Sequence, residues 1–213
     1  MIENKTLEHL VEQSAWCQRN WDLSKSIPQK DIETFKYVVK TCPSKQNRAF
    51  YKAIFVQDKD VIKKLYDTSD SFTIKWEPYT TIKNTQILAN LVVVFVSNRN
   101  YTEKPRTQAE YKLGVVDGKD KIKNPMAQRD EDKSVGIAIG YLAMTANILG
   151  YRTGIYNAQH RTHEVKEILG IKSDIINMIG IGYHNHNKNI RQHHYHDHIT
   201  YPSFNKSIEV INI

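Results

Sequence analysis

The sequence predicts one α+β domain over residues 1–213. Helical and strand patterns are mixed along the chain without the regular strand–helix–strand rhythm of a parallel sheet. Residues 91–97, LVVVFVS, form a continuous apolar run that is typical of a strand buried on both faces. Residues 135–149 predict a helix that is apolar on nearly all sides, so this helix must be central or lie at a subunit interface.

The first half of the chain supplies two amphipathic helices and a strand. Residues 2–15 carry a broken apolar stripe at helical spacing, and Pro28 opens a second helix that Pro43 ends. A polar loop then leads into a strand at 52–57, and short helices are expected at 59–66 and 84–90. Each of these elements is short enough for one compact domain.

The second half is organised around the apolar helix. A helix is expected from Arg106 to about Val116, followed by a mobile connection over residues 117–124. Acids at 130–132 suit the start of the apolar helix, and Gly150 ends it. Within it, small residues form a ridge that permits close packing: Gly136, Gly140, Ala143 and Ala146. Further elements are expected as strands at 151–157, 174–184 and 206–213, and as a helix at 162–169.

Composition narrows the class of protein. The net charge is +7, but the basic residues are scattered among acids and no nucleic-acid-binding signature is present, so we expect no nucleic-acid partner. No apolar run reaches the roughly 20 residues of a membrane span. The first residues lack the pattern of a leader, and the two cysteines, Cys17 and Cys42, do not form a disulfide framework. A cytoplasmic location is therefore expected.

Histidine dominates residues 184–198, which we call the histidine-rich segment and which hold six of the nine histidines. An evolved metal site would need ligands at fixed spacing with a carboxylate or thiolate, and Asp197 is the only acid there. The alternative lies in its cations, Lys188 and Arg191, because fixed cations after a buried strand suit a phosphate-bearing cofactor. A solvated surface pair explains the same residues equally well.

The remaining motifs exclude several functions and assign none. GIGYH at 180–184 lacks the third glycine and the following acid of a dinucleotide fingerprint. No phosphate-binding loop, nucleophile elbow or CxxC pair is present, so hydrolase chemistry has no support. In PSKQN at 43–47, Ser44 and Asn47 could bind the polar edge of a heterocycle or form only a turn.

Three pieces of the chain together resemble the nitroreductase family of FMN-dependent oxidoreductases. They are RNWDLSKSIPQKDIETFKYVVKTCPSKQNRAFYKAIFV at 19–56, NTQILANLVVVFV at 84–96 and SVGIAIGYLAMTANILGYRTGIYNA at 134–158. The resemblance implies a mixed or antiparallel central sheet flanked by helices, in an interlocked homodimer with FMN at the subunit interface.

The same resemblance implies the site and its chemistry. NAD(P)H would pass a hydride through flavin N5 to an acceptor such as a nitroaromatic or quinone in a ping-pong cycle, with no catalytic side chain. Ser44 and Asn47 would approach the flavin from the other subunit. The implied cofactor-binding residues are Cys17, Arg19, Ser44, Asn47, Asn84, Tyr156, Asn157, Lys188 and Arg191.

Two positions depart from the family pattern. Ala15 stands where the family usually has an arginine, and Cys17 where it has a serine, so one phosphate cation and one hydroxyl donor are missing. Two alternatives therefore stay open. One is a flavin-binding protein that does not turn over NAD(P)H, and the other is a metal-binding protein that uses the histidine-rich segment.

Overall fold

The computed structural model describes residues 4–69, 71–73, 81–98, 125–157, 162–201 and 208–211. Its helices are α1 (Asn4–Ser14), α2 (Gln29–Thr41), α3 (Lys59–Asp67), α4 (Pro125–Ile148) and α5 (Thr162–Leu169). Its strands are β1 (Tyr51–Val56), β2 (Ser71–Thr73), β3 (Thr81–Lys83), β4 (Leu91–Ser97), β5 (Arg152–Tyr156) and β6 (Ile175–Gly182). Single 3₁₀ turns cover Lys45–Asn47 and Thr85–Ile87.

The main sheet has four strands in the order β1-β4-β6-β5, and every neighbouring pair is antiparallel. Strand β4 pairs with β1 from Tyr51 opposite Ser97 to Val56 opposite Val92. A separate hairpin of β2 and β3 lies outside this sheet. The predicted α+β class is confirmed, and among the described strands the sheet is antiparallel.

Helices cover both faces of the sheet. Alternate residues of β4 point to opposite sides, and all seven of its residues are buried. Leu91, Val93 and Phe95 join the core formed with α2 and α4. Val92, Val94 and Val96 join the core formed with α3 and α5. The unbroken apolar run was therefore correctly interpreted as a strand that faces two layers.

The long helix α4 corrects two expectations. It begins at Pro125, so the acids at 130–132 lie inside it rather than in its first turn; proline is favoured at a first helical position because its missing N–H has no partner there. The predicted ridge is divided: Ala143 and Ala146 are buried, while Gly136 and Gly140 are exposed, with open space where a Cβ would stand. In the described chain no backbone packs against these two glycines.

Several smaller predictions are corrected by the structure, and one falls outside the described residues. The short helix expected at 84–90 is only the 3₁₀ turn Thr85–Ile87, because Leu88 leaves helical conformation. The β2–β3 hairpin was not anticipated. Residues 208–211, expected as part of a strand, are exposed and unpaired in the described chain, since no neighbouring strand supplies a ladder. The helix expected from Arg106 to Val116 lies outside the described residues.

Two glycines let the Thr85–Ile87 turn lie directly on the sheet. A Cβ on Gly154 of β5 would stand 2.8 Å from the carbonyl oxygen of Gln18 and 2.9 Å from that of Gln86. A Cβ on Gly180 of β6, its cross-strand partner, would also meet the Gln86 carbonyl. These obstacles are backbone atoms, so a side chain could be accommodated only by moving the turn.

We predict that Gly154→Ala destabilises the protein by about 1–3 kcal/mol, the usual cost of forcing an extra methyl group into a packed core. Urea unfolding at one protein concentration measures this change. Lys172→Ala, at an exposed loop position, is the control and should change stability by less than about 0.5 kcal/mol. Equal stability of the two variants would contradict the close approach of the turn to the sheet.

Candidate functional site

Residues 18–22 are held between the outer edge of β5 and the residues that follow β6. The Gln18 N–H donates to the Thr153 carbonyl at 2.8 Å, and the Arg19 N–H donates to the Ile190 carbonyl at 2.9 Å. Trp21 forms an isolated β-bridge with His184. These contacts bring together residues that are more than 130 positions apart in the sequence.

Arg19 and Asn84, two of the predicted cofactor-binding residues, meet at this place. The Arg19 Nη1 donates to the Asn84 side-chain oxygen at 2.8 Å, and the guanidinium lies over the ring of Tyr201, 3.9 Å from its centroid. The same Asn84 oxygen accepts from the Gln86 N–H at 3.1 Å and so caps the Thr85–Ile87 turn. Arg19 is thus oriented by an amide and an aromatic ring.

Cys17 lies on the other side of Arg19, against β5. Its sulfur is 2.5 Å from the Gln86 Nε2 and 3.8 Å from the Ile155 carbonyl oxygen. Gln86 also donates to that carbonyl at 2.5 Å and is itself buried. The side chain of Gln86 therefore joins Cys17 to the outer edge of β5.

Arg191 completes what we call the arginine cluster: Cys17, Arg19, Asn84, Gln86 and Arg191. The preceding residue, Ile190, accepts the Arg19 N–H, and the Arg191 guanidinium lies 5.9 Å from the ring of the exposed Trp16. The Arg191 Nη1 is buried and has no hydrogen-bond partner among the described residues. A buried cationic donor without an acceptor is costly, and it marks a position for an anionic or acceptor group.

Lys188, the other predicted cation, is already engaged. Its ammonium forms an ion pair with Asp197 and donates to the His194 carbonyl at 3.3 Å. Both partners belong to the histidine-rich segment, so Lys188 stabilises the conformation of that segment. The role of Lys188 in cofactor binding stays a prediction.

The histidine-rich segment packs against the rest of the chain and is not a solvated tail. His193 is fully buried, and its Nδ1 accepts from the backbone N–H groups of Tyr195 and His196 at 3.0 and 3.1 Å. His184 lies 3.0 Å from the Gln18 amide nitrogen, and His194 accepts the Trp21 N–H at 3.2 Å. His184 and His194 fasten the segment to residues 18–21, while the Nε2 of His193 lies 3.3 Å from the Lys83 carbonyl oxygen. The alternation of polar residues along the segment concealed these contacts.

Ser44 and Asn47 lie elsewhere. They belong to the turn immediately before β1, whereas the arginine cluster adjoins β5, and these two strands form opposite edges of the four-stranded sheet. The Ser44 hydroxyl donates to the Arg48 carbonyl at 2.8 Å, while Asn47 is exposed with a positive φ of 55°. Within the described chain the two groups of predicted residues do not form one site.

The two remaining predicted residues, Tyr156 and Asn157, are the last residue of β5 and the one after it. The Tyr156 side chain is buried in the core beneath the sheet, so only its backbone faces the cluster edge, and Asn157 is exposed. Sequence reasoning missed Gln86 and Tyr201 as members of this surface. Gln86 carried a signal, since it is the last residue of the Asn-x-Gln motif, but nothing local indicated that Tyr201 stacks on Arg19.

The described residues form neither a metal-ion site nor a membrane span. Across the described ranges, no three His, Cys, Asp or Glu side chains converge in a way that could hold a metal ion. None of the described helices has the length and apolar character of a membrane span.

Comparison with solved structures identifies the fold. A nitroreductase family protein from Clostridium novyi matches with a TM-score of 0.61 and 16% identity, covering 90% of this chain and 93% of that one. A nitroreductase-type protein from Bacillus subtilis matches with a TM-score of 0.66 and 16% identity, covering 98% and 100%. An iodotyrosine deiodinase, solved with FMN and 3-iodo-L-tyrosine, matches with a TM-score of 0.59 and 13% identity, covering 97% and 100%.

The sequence itself gives no such match. No protein-family model matches the chain, and no curated protein is similar to it in sequence. The resemblance deduced from three short pieces is nevertheless confirmed at the level of the fold, because the similarity to these structures extends over nearly the whole chain. The chain has the nitroreductase fold.

The buried histidine predicts a pH-dependent stability. Burial, together with the nearby His196, lowers the pKa of His193 to about 4, below the ordinary value of about 6.5. Between these pH values the unfolded chain binds more protons, so the free energy of unfolding should fall as the pH falls from about 6.5 to about 4.

We predict that His193→Asn flattens this dependence. Its side-chain oxygen can still accept the two backbone N–H groups, but it cannot titrate. Urea midpoints measured from pH 7.5 to pH 4.5 test this, with the exposed His198→Asn as the control. Burial also lowers the pKa of His184 and of His194, so part of the slope should persist. Equal slopes for both variants and the native chain would refute the role of His193.

Proposed function

We propose that the protein is an FMN-dependent oxidoreductase. The observation that carries this proposal is the buried Arg191 Nη1, which has no acceptor among the described residues and lies in the arginine cluster. A flavin phosphate supplies the missing acceptor, and a guanidinium binds phosphate with two parallel hydrogen bonds. The fold supports the proposal, because structures that share it include an NAD(P)H:FMN oxidoreductase-type protein from Staphylococcus epidermidis and a deiodinase solved with FMN.

The cluster residues suit different parts of the cofactor. Arg191 would hold the phosphate, and Arg19, oriented by Asn84 and Tyr201, would hold the phosphate or the ribityl chain. Asn84 would contact the isoalloxazine, and the outer edge of β5 near Tyr156 and Asn157 would lie against the ring. The exposed Ile155 offers an apolar surface at the same edge. Polar contacts thus serve the phosphate end and apolar ones the ring.

The chemistry belongs to the cofactor. Held by the arginine cluster, FMN would supply hydride transfer from NAD(P)H to an acceptor through its N5, and we propose that donor and acceptor would occupy the same place in turn. The protein's residues bind, orient and exclude water, and no side chain acts as a nucleophile. A structural neighbour binds 3-iodo-L-tyrosine together with FMN, so we propose no acceptor more specific than a small electron-accepting compound such as a nitroaromatic or quinone.

A complete site requires two chains in our proposal. Ser44 and Asn47 lie at the opposite sheet edge from the arginine cluster, so they could meet a flavin only on a partner subunit. The outer face of α4 supports a homodimer, since Gly136 and Gly140 open it to close approach and apolar side chains surround them: Ile137, Tyr141 and Ile148. The exposed apolar residues of 208–211 are a second surface that a partner could cover.

Two alternative functions compete with this one. The substitution of Ala15 removes one cation from the family pattern and favours a flavin-binding protein without NAD(P)H turnover. Anaerobic addition of NADPH or NADH to the yellow protein discriminates them, because only an oxidoreductase loses its flavin absorption. The metal-binding alternative has little support, since the described part of the histidine-rich segment gathers no ligand set. A cytoplasmic location stays a prediction.

Arg191→Gln should weaken FMN binding tenfold to a hundredfold, because a charge-assisted hydrogen bond contributes about 1.5–3 kcal/mol. Quenching of FMN fluorescence on titration with stripped protein measures the affinity. The double variant His196→Gln/His198→Gln changes exposed imidazoles of the same segment and should bind FMN as the native chain does. A reversed pattern, with binding lost only in the histidine variant, would reject the proposed site.

Tyr141→Glu should convert the homodimer to monomers and release FMN, because a buried carboxylate at the α4 face costs more than the contact supplies. Sedimentation velocity and the ratio of flavin to protein measure both effects. Lys64→Glu, exposed on α3 at the other face of the sheet, is the control and should leave both unchanged. A monomeric Tyr141→Glu protein that keeps its FMN would show that one chain completes the site.

A further inference from the structure

A cavity of about 530 Å³ lies between α2 and β1, beside the turn that contains Ser44 and Asn47. Its lining includes four cationic side chains and no acidic one, and we call it the basic pocket: Lys36, Lys40, Arg48 and Lys52. This size lies within the range of small-molecule sites, roughly 300–1,000 Å³. A one-sided charge of this kind points to an anionic ligand.

The cations of the pocket differ in their partners. Lys36 is paired with Glu33 at 2.8 Å, which compensates part of its charge. Lys45, in the adjacent turn, is paired with Asp130 at 2.5 Å and does not line the pocket. Lys40 and Lys52 are exposed, and neither lies within ion-pair distance of an acid among the described residues. These two ammonium groups are the ones best placed to bind an anion.

The inner wall of the pocket is apolar. Val39, Ala53 and Phe55 line it, and the polar end of Tyr51 is turned away from a ligand because its hydroxyl donates to the Val39 carbonyl at 2.8 Å. An apolar wall with lysines at the rim suits a planar base that carries a phosphate nearby. An inorganic anion without a base would contact only the lysines at the rim and not the apolar wall.

We propose that the basic pocket binds the adenosine 2′-phosphate end of the nicotinamide donor, so that the protein selects NADPH over NADH. This inference rests on the proposed function, since Ser44 and Asn47 line the pocket and belong to the turn that would meet the partner's flavin. In this proposal, the other end of a donor whose nicotinamide lies on that flavin would reach the basic pocket. The 2′-phosphate distinguishes NADPH from NADH and adds on the order of two negative charges.

Direct binding tests the pocket without any turnover. Calorimetric titration of the purified protein with adenosine 2′,5′-bisphosphate and with 5′-AMP should show at least tenfold tighter binding of the bisphosphate. Lys40→Gln/Lys52→Gln should remove this preference, whereas Lys30→Gln/Lys64→Gln, which removes the same charge from exposed positions outside the pocket, should retain it. Equal affinity for both nucleotides, or a preference that survives Lys40→Gln/Lys52→Gln, overturns the proposal.

Reduction kinetics connect the pocket to the flavin. In anaerobic stopped-flow measurements, Lys40→Gln/Lys52→Gln should raise the half-saturating NADPH concentration at least tenfold and change that for NADH less than twofold. An equal loss with both donors overturns NADPH selection. If the protein binds no FMN, or neither donor reduces it, the proposed function fails, while the bisphosphate titration still decides whether the pocket recognises a 2′-phosphate.

Discussion

Three backbone hydrogen bonds hold residues 18–22 in place: Gln18 to Thr153, Arg19 to Ile190 and Asp22 to Tyr183. They tie an N-terminal stretch to β5 and to the chain after β6 at the same time. The positions of both arginines depend on them, because the side chains of Arg19 and Arg191 project from the paired backbones. The imidazoles of His184 and His194 reinforce the same attachment, so histidine serves structure here and arginine carries the proposed function.

The order of strands imposes the second constraint. Because β1 and β5 are the two edges of one sheet, the turn before β1 and the arginine cluster beside β5 are separated by the width of that sheet. The proposed cofactor site therefore needs a second chain, and the outer face of α4 is suited to bring one close. A protein of this architecture would couple assembly to cofactor binding, since neither sheet edge holds all the contacts.

Local sequence patterns predicted the helices and strands well, because the periodicity of each element depends on residues that are adjacent in the sequence. Val92 and Val93 of β4 face opposite cores, as a continuous apolar run requires. Contacts between distant residues were harder to predict. His193 is buried although polar residues surround it in the sequence, and Gly140 is exposed although it lies in an apolar helix, because burial depends on what packs against a residue.

Because burial depends on distant contacts, the sequence indicated Arg191 as a binding residue but did not reveal its environment. A cation after a buried strand could be singled out from the sequence, but the loss of water around its Nη1 follows from packing near Trp16 and Ile190. Leaving that donor without an acceptor costs about 1–3 kcal/mol. In the proposed function, a phosphate that reaches this guanidinium would recover part of this free energy on binding.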